Sequence, residues 1–223
     1  QYDALVEWFR ETVPPGASLL EVGAGPGTAV YQEHLAPLVD RWVGIDPDPS
    51  VAGNPYLTGH AVGPVEAWYP GDPPAPFDAA LAVYVAEHVA HPDAFLGRIH
   101  ELLVPRGSFW FLTPNLWHYF GASAYLTSRL GIEDRLLRHL RGDTLVEEYH
   151  FPVTYRLNSV PRIARAAEAA GFSQMEVRHL DHPGVFEDYF PGPLARLPSL
   201  WSAAVHRRRL GRLMGTLLVR LEA

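Results

Sequence analysis

Three glycines, Gly23, Gly25 and Gly27, stand between a short apolar run and a predicted helix. Glycines at such a turn let the backbone bend sharply and come close to a bound ligand. A dinucleotide-binding fingerprint places its third glycine three residues after the second, and this sequence has Thr28 there. The turn therefore indicates a small nucleoside ligand rather than one with a pyrophosphate.

An acidic residue, Asp46, ends the next predicted strand, 19 residues after Gly27. At the carboxyl edge of a parallel sheet, such a carboxylate can accept hydrogen bonds from both hydroxyls of a ribose. The alternative is an aspartate that only shapes the turn before Pro47. Together with the glycine turn, Asp46 favours ribose binding.

Composition narrows the possible functions. The 223 residues include no Cys. The 18 basic residues are all Arg, and with 25 Asp and Glu residues the net charge is −7. A P-loop lysine, a Schiff-base lysine, a cysteine nucleophile, a thiolate metal site and a disulfide are therefore excluded. The acidic balance predicts no nucleic-acid partner, and no apolar run approaches the ~18 residues of a membrane span. Since nothing resembles a signal peptide, we expect a cytoplasmic protein.

Short apolar strands alternate with helices along most of the chain, which predicts an α/β fold with a mostly parallel sheet. Strands are predicted at 18–22, 41–46, 56–58, 77–84, 108–113, 172–180 and 215–221. Helices are predicted at 2–13, 28–38, 92–103, 122–131, 133–141, 159–170 and 201–210.

The segment at about 115–155 differs from the rest, because it is rich in aromatic and His residues and has no clear strand. We expect one domain over 1–223, with a core at about 1–114 and 156–223 and a helical cap inserted between them. Residues 1–112 carry 4 Arg and 14 acids, whereas 113–223 carry 14 Arg and 11 acids. This asymmetry suggests that substrate selectivity lies after residue 113.

Seven short motifs occur in a specific order. They are Leu-Glu-Val-Gly-Ala-Gly-Pro-Gly at 20–27, Gly-Ile-Asp-Pro at 44–47, Phe-Asp at 77–78, Glu-His-Val at 87–89, His-Pro-Asp at 91–93, Leu-Leu-Val-Pro-Arg-Gly at 102–107 and Thr-Pro-Asn at 113–115. In this order they resemble class I S-adenosylmethionine-dependent methyltransferases. Within that superfamily the chain is similar to the small bacterial branch that includes the ubiquinone-biosynthesis O-methyltransferases. The resemblance implies a Rossmann-like, mostly parallel seven-stranded sheet flanked by helices.

The resemblance also implies a cofactor, S-adenosyl-L-methionine, with S-adenosyl-L-homocysteine as product. Glu21 and the backbone of 23–27 would hold the methionine end, and Asp46 the ribose. The adenine contact is left open between a backbone amide near Val65 and the Glu66 carboxylate. The cofactor-binding residues expected on this basis are Glu21, Gly23, Ala24, Gly25, Gly27, Asp46, Pro47, Val65, Glu66, Ala82, Val83, Tyr84 and His88.

Methyl transfer to a hydroxyl requires a group that takes the proton, and imidazole suits this near neutral pH. The candidates are His88, His118 and His150, with His118 slightly ahead because it follows Asn115 into the cap. For each one, packing, capping or solvent exposure is the alternative. The expected substrate-binding residues are Asn115, His118, Tyr119, Tyr155, Arg156 and Asn158.

No metal site is expected. His179, Asp181 and His182 are close in sequence, but strand alternation sends the first two to one face and a proline turn follows the third. The Arg run at 207–209, with Arg212, could make weak contact with an anionic membrane surface or phosphate, although a solvated helix face is the simpler interpretation.

The expected function is methyl transfer to a small molecule by direct displacement, with a hydroxyl oxygen of a sugar or secondary metabolite as acceptor. The alternatives are O- or C-methylation of a lipophilic quinone-like or polyketide acceptor, and a non-catalytic module that only binds the cofactor. Thr28 disfavours a nicotinamide-dependent oxidoreductase. The protein is expected to be a monomer or a homodimer.

Overall fold

The predicted alternation of strands and helices forms a single seven-stranded sheet. The computed structural model describes residues 1–69, 76–130, 153–187 and 192–223. The strands are β1 (Ala17–Val22), β2 (Val39–Asp46), β3 (Gly59–Val62), β4 (Phe77–Val83), β5 (Leu103–Pro114), β6 (Gln174–Leu180) and β7 (Thr216–Glu222). Their order in the sheet is β3-β2-β1-β4-β5-β7-β6.

Helices cover both faces of this sheet. The helices in the described ranges are α1 (Tyr2–Thr12), α2 (Val30–Leu35), α3 (Pro92–Leu102), α4 (Tyr119–Arg129), α5 (Val160–Ala169), α6 (Gly184–Glu187) and α7 (Leu197–Arg207). Short 3₁₀ turns lie at Ala36–Leu38, Pro49–Gly53, Val65–Ala67, Gly192–Arg196 and Gly211–Leu213. The predicted α/β class and the mostly parallel, seven-stranded sheet are therefore confirmed.

The direction of the strands places one edge of the sheet in position to hold a ligand. β1 pairs in parallel with β2 and β4, β2 with β3, and β4 with β5, whereas β7 runs antiparallel to both β5 and β6. The carboxyl ends of β1–β6 and the start of β7 consequently lie at the same edge. The strand order reverses between β1 and β4, and open α/β sheets bind ligands at such a switch point.

The core has one layer on each face of the sheet. In β5, Phe109 and Phe111 point to the face covered by α3 and α5, whereas Trp110 points to the opposite face. On that opposite face the Trp8 ring of α1 meets Trp110 edge to face, with ring centroids 4.8 Å apart. The apolar stretches of β4 (79–83) and β5 (109–112) thus lie between two layers of helices, as the centre of a parallel sheet should.

Several element boundaries differ from the prediction. The third strand is Gly59–Val62 and not 56–58, because Tyr56 donates its amide to the Asn54 side chain in a turn. The second helix shortens to Val30–Leu35 and continues as a 3₁₀ turn that contains Pro37. The helix predicted at 133–141 lies outside the described residues.

Candidate functional site

The glycine turn adopts a conformation that only glycine accepts easily. Gly23, Gly25 and Gly27 have φ angles of +74°, +55° and +87°. A Cβ atom on Gly23 would lie 2.3 Å from a methyl carbon of Val85, and one on Gly27 would lie 2.5 Å from Pro55. Backbone angle and lack of space both require glycine here, so the turn forms a tight cradle after β1.

A cavity of about 180 Å³ opens above this cradle, at the carboxyl ends of β1 and β4. This volume is below the roughly 300–1,000 Å³ of pockets that enclose a drug-sized ligand, so it accounts for one end of a nucleoside cofactor. Five of the expected cofactor residues line it: Gly23, Ala24, Gly25, Val83 and Tyr84. Pro26, within the backbone segment 23–27 expected to hold the methionine end, also lines it. The sequence analysis did not name the other lining residues as cofactor contacts: Tyr2, Thr28, Ala29, Tyr31 and Gln32.

Glu21 lies beneath the cradle and is fully buried. The Tyr31 hydroxyl donates to its Oε1 at 2.6 Å, and Gln32 Nε2 donates to its Oε2 at 2.9 Å. The same Gln32 nitrogen also donates to the Ala24 carbonyl at 2.9 Å. Burial raises the pKa of Glu21 to about 7, against the lowering effect of the two hydrogen bonds. The carboxylate therefore shapes the cradle through Gln32, and its expected contact with the methionine end stays a prediction.

Asp46 connects the cradle to the end of β2. Its Oδ2 accepts the Gly25 amide at 3.0 Å, and its Oδ1 accepts the Asp48 amide at 2.8 Å. Its relative exposure is 9%. Each carboxylate oxygen can accept a second hydrogen bond. Asp46 can therefore bind both ribose hydroxyls and keep its hydrogen bonds from the Gly25 and Asp48 amides. The two hydroxyls of a ribose, which are hydrogen-bond donors, therefore match the free acceptor sites of the Asp46 carboxylate.

The residues expected near the adenine differ in how far their side chains are exposed to a ligand. The Val65 side chain is buried in the core, which leaves only its backbone for a ligand. Glu66 and Pro47 are exposed. The Gly63 amide donates to the Asp46 carbonyl at 2.9 Å, so the loop that follows β3 begins beside Asp46. Both adenine alternatives remain open.

At the end of β4, two of the expected cofactor residues, Val83 and Tyr84, reach the cavity. Ala82 is fully buried in the core, whereas Val83 and Tyr84 line the cavity. Tyr84 has a φ of +56°, a strained conformation for a non-glycine residue. Burial raises its pKa to about 12 despite a side-chain hydrogen bond with Thr216. The phenol thus stays neutral and presents a fixed polar ring to a ligand.

A second polar group lies between the ends of β4 and β5. Glu87 is 6% exposed, and burial raises its pKa to about 7. The Thr113 hydroxyl donates to Glu87 Oε2 at 3.4 Å, and Asn158 Nδ2 donates to Thr113 Oγ1 at 2.6 Å. Asn158 was expected to bind substrate, but Glu87 was not assigned a role, although it begins the Glu-His-Val motif.

His118 is placed where its basicity is low. It is 2% exposed, and its ring lies 4.1 Å from the Tyr119 ring and 6.1 Å from the Trp201 ring, measured between centroids. Burial lowers its pKa to about 4, although the charge of Asp181 acts in the opposite direction. An imidazole with this pKa is neutral at pH 7 and a weak proton acceptor. Its assignment as a base remains a prediction that this environment disfavours.

Asn115 is used to hold the start of the cap. Its Nδ2 donates to the carbonyls of Arg212 and Met214, each at 2.8 Å, and its Oδ1 accepts the Trp117 amide at 3.0 Å. These bonds tie the cap to the segment before β7. The Asn115 side chain already makes these three hydrogen bonds, so the expected contact with substrate would have to be made in addition to them.

The remaining expected residues are dispersed. Tyr155 is buried, with a φ of +52° and its ring 6.2 Å from that of Tyr125. Arg156 is exposed and His88 is half-buried in the loop after β4. His150 lies outside the described residues. The structure therefore places Asn158, His88 and Tyr155 near the sheet edge and leaves Arg156 at the surface.

The described parts of the chain show neither a metal cluster nor a membrane-spanning helix. No group of three or more His, Cys, Asp or Glu side chains there could hold a metal ion. None of the helices there combines the length and the apolar character that a membrane crossing requires.

The fold and the site together define a class of protein. A parallel sheet that reverses its order beside a glycine cradle, with an acid at the end of the next strand, is a Rossmann-like nucleoside-binding domain. Residues 1–177 match a family described as a methyltransferase domain. Since this match covers most of the chain, the protein belongs to that family, and the methyltransferase class predicted from the sequence is confirmed.

Two curated relatives are uncharacterised proteins of Mycobacterium tuberculosis, from strains CDC 1551 / Oshkosh and ATCC 25618 / H37Rv. Each is 29% identical over an alignment 180 long, and the match covers 72% of this chain and 60% of the relative. The chain therefore spans less than two thirds of the length of the relatives that it matches.

Solved structures agree on the fold. An S-adenosylmethionine-dependent methyltransferase from Mesorhizobium loti is 15% identical, with a TM-score of 0.59 and coverage of 100% of both chains. Phosphoethanolamine N-methyltransferase 2 from Haemonchus contortus, solved in complex with S-adenosyl-L-methionine, is 14% identical. Its TM-score is 0.59, with coverage of 100% of this chain and 52% of that chain. At these identities the likeness establishes the architecture.

Proposed function

We propose that the protein binds S-adenosyl-L-methionine at the glycine cradle and catalyses transfer of its methyl group to a small molecule, leaving S-adenosyl-L-homocysteine. One observation carries the proposal. In a chain of the methyltransferase domain family, Asp46 has acceptor capacity for a ribose directly beside a cradle that a Cβ atom would fill. The cavity at the switch point is where a nucleoside cofactor belongs in such a sheet.

The chain's own residues account for binding and orientation. The cofactor supplies an electrophilic methyl group on a positively charged sulfur. Asp46 and the cradle hold the ribose and the methionine end, and Tyr2, Tyr31 and Tyr84 enclose that end and exclude water from it. Close positioning of the acceptor by the cap then supplies most of the remaining rate enhancement.

For the acceptor, we propose a hydroxyl oxygen of a sugar or secondary metabolite, with a lipophilic quinone-like or polyketide acceptor as the alternative. Aromatic side chains at the start of the cap, Tyr119 and Trp117, support a ring-shaped or partly apolar acceptor. The likeness of the motifs to the ubiquinone-biosynthesis O-methyltransferase branch supports transfer to oxygen. Among the histidines, His88 at the sheet edge and His150 remain candidate bases.

The organisation proposed for the protein follows from the same site. The cap at about 115–155 belongs to one domain with the core at about 1–114 and 156–223, since Asn115 ties its start to the segment before β7. A small-molecule acceptor, no nucleic-acid partner, a cytoplasmic location and a monomeric or homodimeric state complete the proposal.

Calorimetric titration tests the proposed function. Wild type is expected to bind both S-adenosyl-L-methionine and S-adenosyl-L-homocysteine. Asp46→Asn removes a charged acceptor and should weaken both by ~10- to 100-fold, since a hydrogen bond to a charged group contributes about 1.5–3 kcal/mol. Asp40→Asn, an exposed aspartate at the other end of β2, is the matched control and should bind as wild type does. No binding of either ligand by wild type would refute the proposal.

Turnover is tested separately. The protein is incubated with methyl-labelled cofactor and a panel of sugars, phenols, quinols and amines, and transferred label is measured. Label in at least one acceptor is expected. Binding without transfer to any of them would favour the non-catalytic module.

A further inference from the structure

Glu87 is a buried acid that the proposed cofactor site does not use. Its backbone carbonyl accepts the amides of Thr154 and Tyr155 at 2.7 and 3.1 Å, which fixes the loop after β4 against the segment that follows the cap. Its carboxyl group accepts hydrogen bonds from the Thr113 hydroxyl, at 3.4 Å, and from the backbone of Glu87 itself. An acid held in this way at a ligand-binding edge is a candidate for proton transfer.

The direction of the hydrogen bonds around Thr113 is determined. Asn158 Nδ2 donates to both Thr113 Oγ1, at 2.6 Å, and the Pro114 carbonyl, at 3.0 Å. A flipped amide would turn its oxygen toward that carbonyl, so the nitrogen must face it. Thr113 accepts from Asn158 and therefore directs its own hydrogen at Glu87. The relay ends on the carboxyl group and favours its ionised form.

The hydrogen-bond acceptor atoms of Asn158 and Glu87 that remain unused indicate the chemistry of a ligand that binds between them. Asn158 is fully buried, and its Oδ1 has no hydrogen-bond partner among the described residues. The Glu87 carboxyl also retains acceptor sites beside its bonds to the Thr113 hydroxyl and to its own backbone. A buried unpaired acceptor is costly, so a ligand that binds here has to bring donors, as a hydroxyl or an amino group does.

Glu87 lies next to the wall of the cofactor cavity. The amide of Tyr84, which lines the cavity, donates to the Leu112 carbonyl at 2.9 Å, and Thr113, the next residue, donates to Glu87. Its charge contributes to raising the pKa of Tyr84, the tyrosine that lines the cavity at the end of β4. Among the described residues, His88 is next to Glu87 in the chain, and Tyr155 donates its amide to the Glu87 carbonyl. Arg156, next to Tyr155, is exposed. Burial opposes ionisation of Glu87, and a cation bound in the cavity would favour it.

We propose, on the basis of the proposed function, that Glu87 accepts the proton of the methyl acceptor, in a subsite where Glu87 and Asn158 Oδ1 bind its hydroxyl or amino group. In this step the acceptor's oxygen or nitrogen forms a bond to the methyl carbon with a lone pair, as the carbon–sulfur bond breaks and leaves its electrons on sulfur. The O–H or N–H bond gives its electrons to the heteroatom, and the proton passes to the Glu87 carboxylate. All atoms and charges balance without a further reactant.

Proton release on cofactor binding tests the inference without a known acceptor. Calorimetry at pH 7 in buffers of different ionisation enthalpy gives the number of protons released when S-adenosyl-L-methionine or S-adenosyl-L-homocysteine binds. The positively charged sulfur of the first ligand should lower the pKa of Glu87 by on the order of one pH unit, whereas the neutral sulfur of the second should not. Wild type should therefore release roughly 0.3–0.5 proton more with the first ligand.

Two variants attribute this difference to Glu87. Glu87→Gln keeps the size of the side chain and should remove the Glu87-dependent release, leaving only what the ligands themselves titrate. Glu101→Gln changes an exposed glutamate of α3 and should behave as wild type. The same release in wild type and Glu87→Gln would overturn the inference, although both ligands bind. If neither ligand binds to wild type, the proposed function fails and the inference fails with it.

Turnover supplies a second measure on any acceptor that wild type methylates. Glu87→Gln should lower kcat by ~10²- to 10⁴-fold, the range for loss of a general base, with the KM for the cofactor within twofold of wild type. Asn158→Leu should instead raise the KM for the acceptor. A kcat for Glu87→Gln within threefold of wild type would overturn the proton-acceptor role.

Discussion

Replacing Glu87 with glutamine should change how the stability of the protein depends on pH. The pKa of Glu87 is about 7 in the folded protein, against an ordinary value of 4.5, because burial disfavours its charge. Between these values the folded state holds a proton that the unfolded state has released, so the contribution of Glu87 to wild-type stability falls as pH rises from 4.5 to 7. At ~1.36 kcal/mol per pH unit, the loss is about 3 kcal/mol.

The Glu87→Gln protein cannot lose this proton, so its free energy of unfolding relative to wild type should rise by about 3 kcal/mol between pH 4.5 and 7.5 and stay constant outside that window. Urea unfolding at half-unit pH steps, followed by fluorescence, measures the difference. The difference isolates Glu87, because every other titrating group is common to both proteins. Glu7→Gln, at an exposed position of α1, should give no such trend. A pH-independent difference for Glu87→Gln would refute the reasoning.

The other predictions concern the cradle and the cap. Gly23→Ala should weaken cofactor binding, measured by calorimetry, at least tenfold, because the new Cβ atom would lie 2.3 Å from Val85 and φ is +74°. Gly53→Ala, which has open space around the new Cβ atom, is the control and should bind the cofactor as wild type does. Tyr31→Phe removes the 2.6 Å bond to buried Glu21 and should cost about 1–3 kcal/mol in urea unfolding at pH 8; an unchanged stability would contradict that bond. His118 has a pKa of about 4, so the contribution of His118 to stability should be lost as pH falls from 6.5 to 4. An NMR titration of His118 with a midpoint near 6.5 would contradict this.

Most of the fold could be predicted because the sequence pattern and the packing agree. The runs at 18–22 and 77–84 are apolar because their strands are buried on both faces, and such runs predict central parallel strands. The third strand was misplaced by a few residues. It is the edge strand of the sheet and lies in a segment with many prolines, and the side chain of Asn54 determines where the turn before it ends.

The site was predictable where chemistry and local geometry coincide. Gly23 and Asp46 could be identified from the local sequence alone. Gly23 occupies a turn that needs a positive φ, and Asp46 ends a strand. Tyr2 and Gln32 could not be found in this way, because helices bring them to the cavity across the top of the sheet. The low basicity of His118 arises from rings far apart in sequence, notably Trp201.

The most direct test of the account is a crystal structure of the protein with S-adenosyl-L-homocysteine. The ribose hydroxyls are expected on the Asp46 carboxylate, the methionine end in the cradle above β1, and the sulfur between Tyr84 and the Glu87 subsite. A nucleoside bound elsewhere, or a ribose without contact to Asp46, would contradict the central claim that this edge of the sheet is the methyl-transfer site.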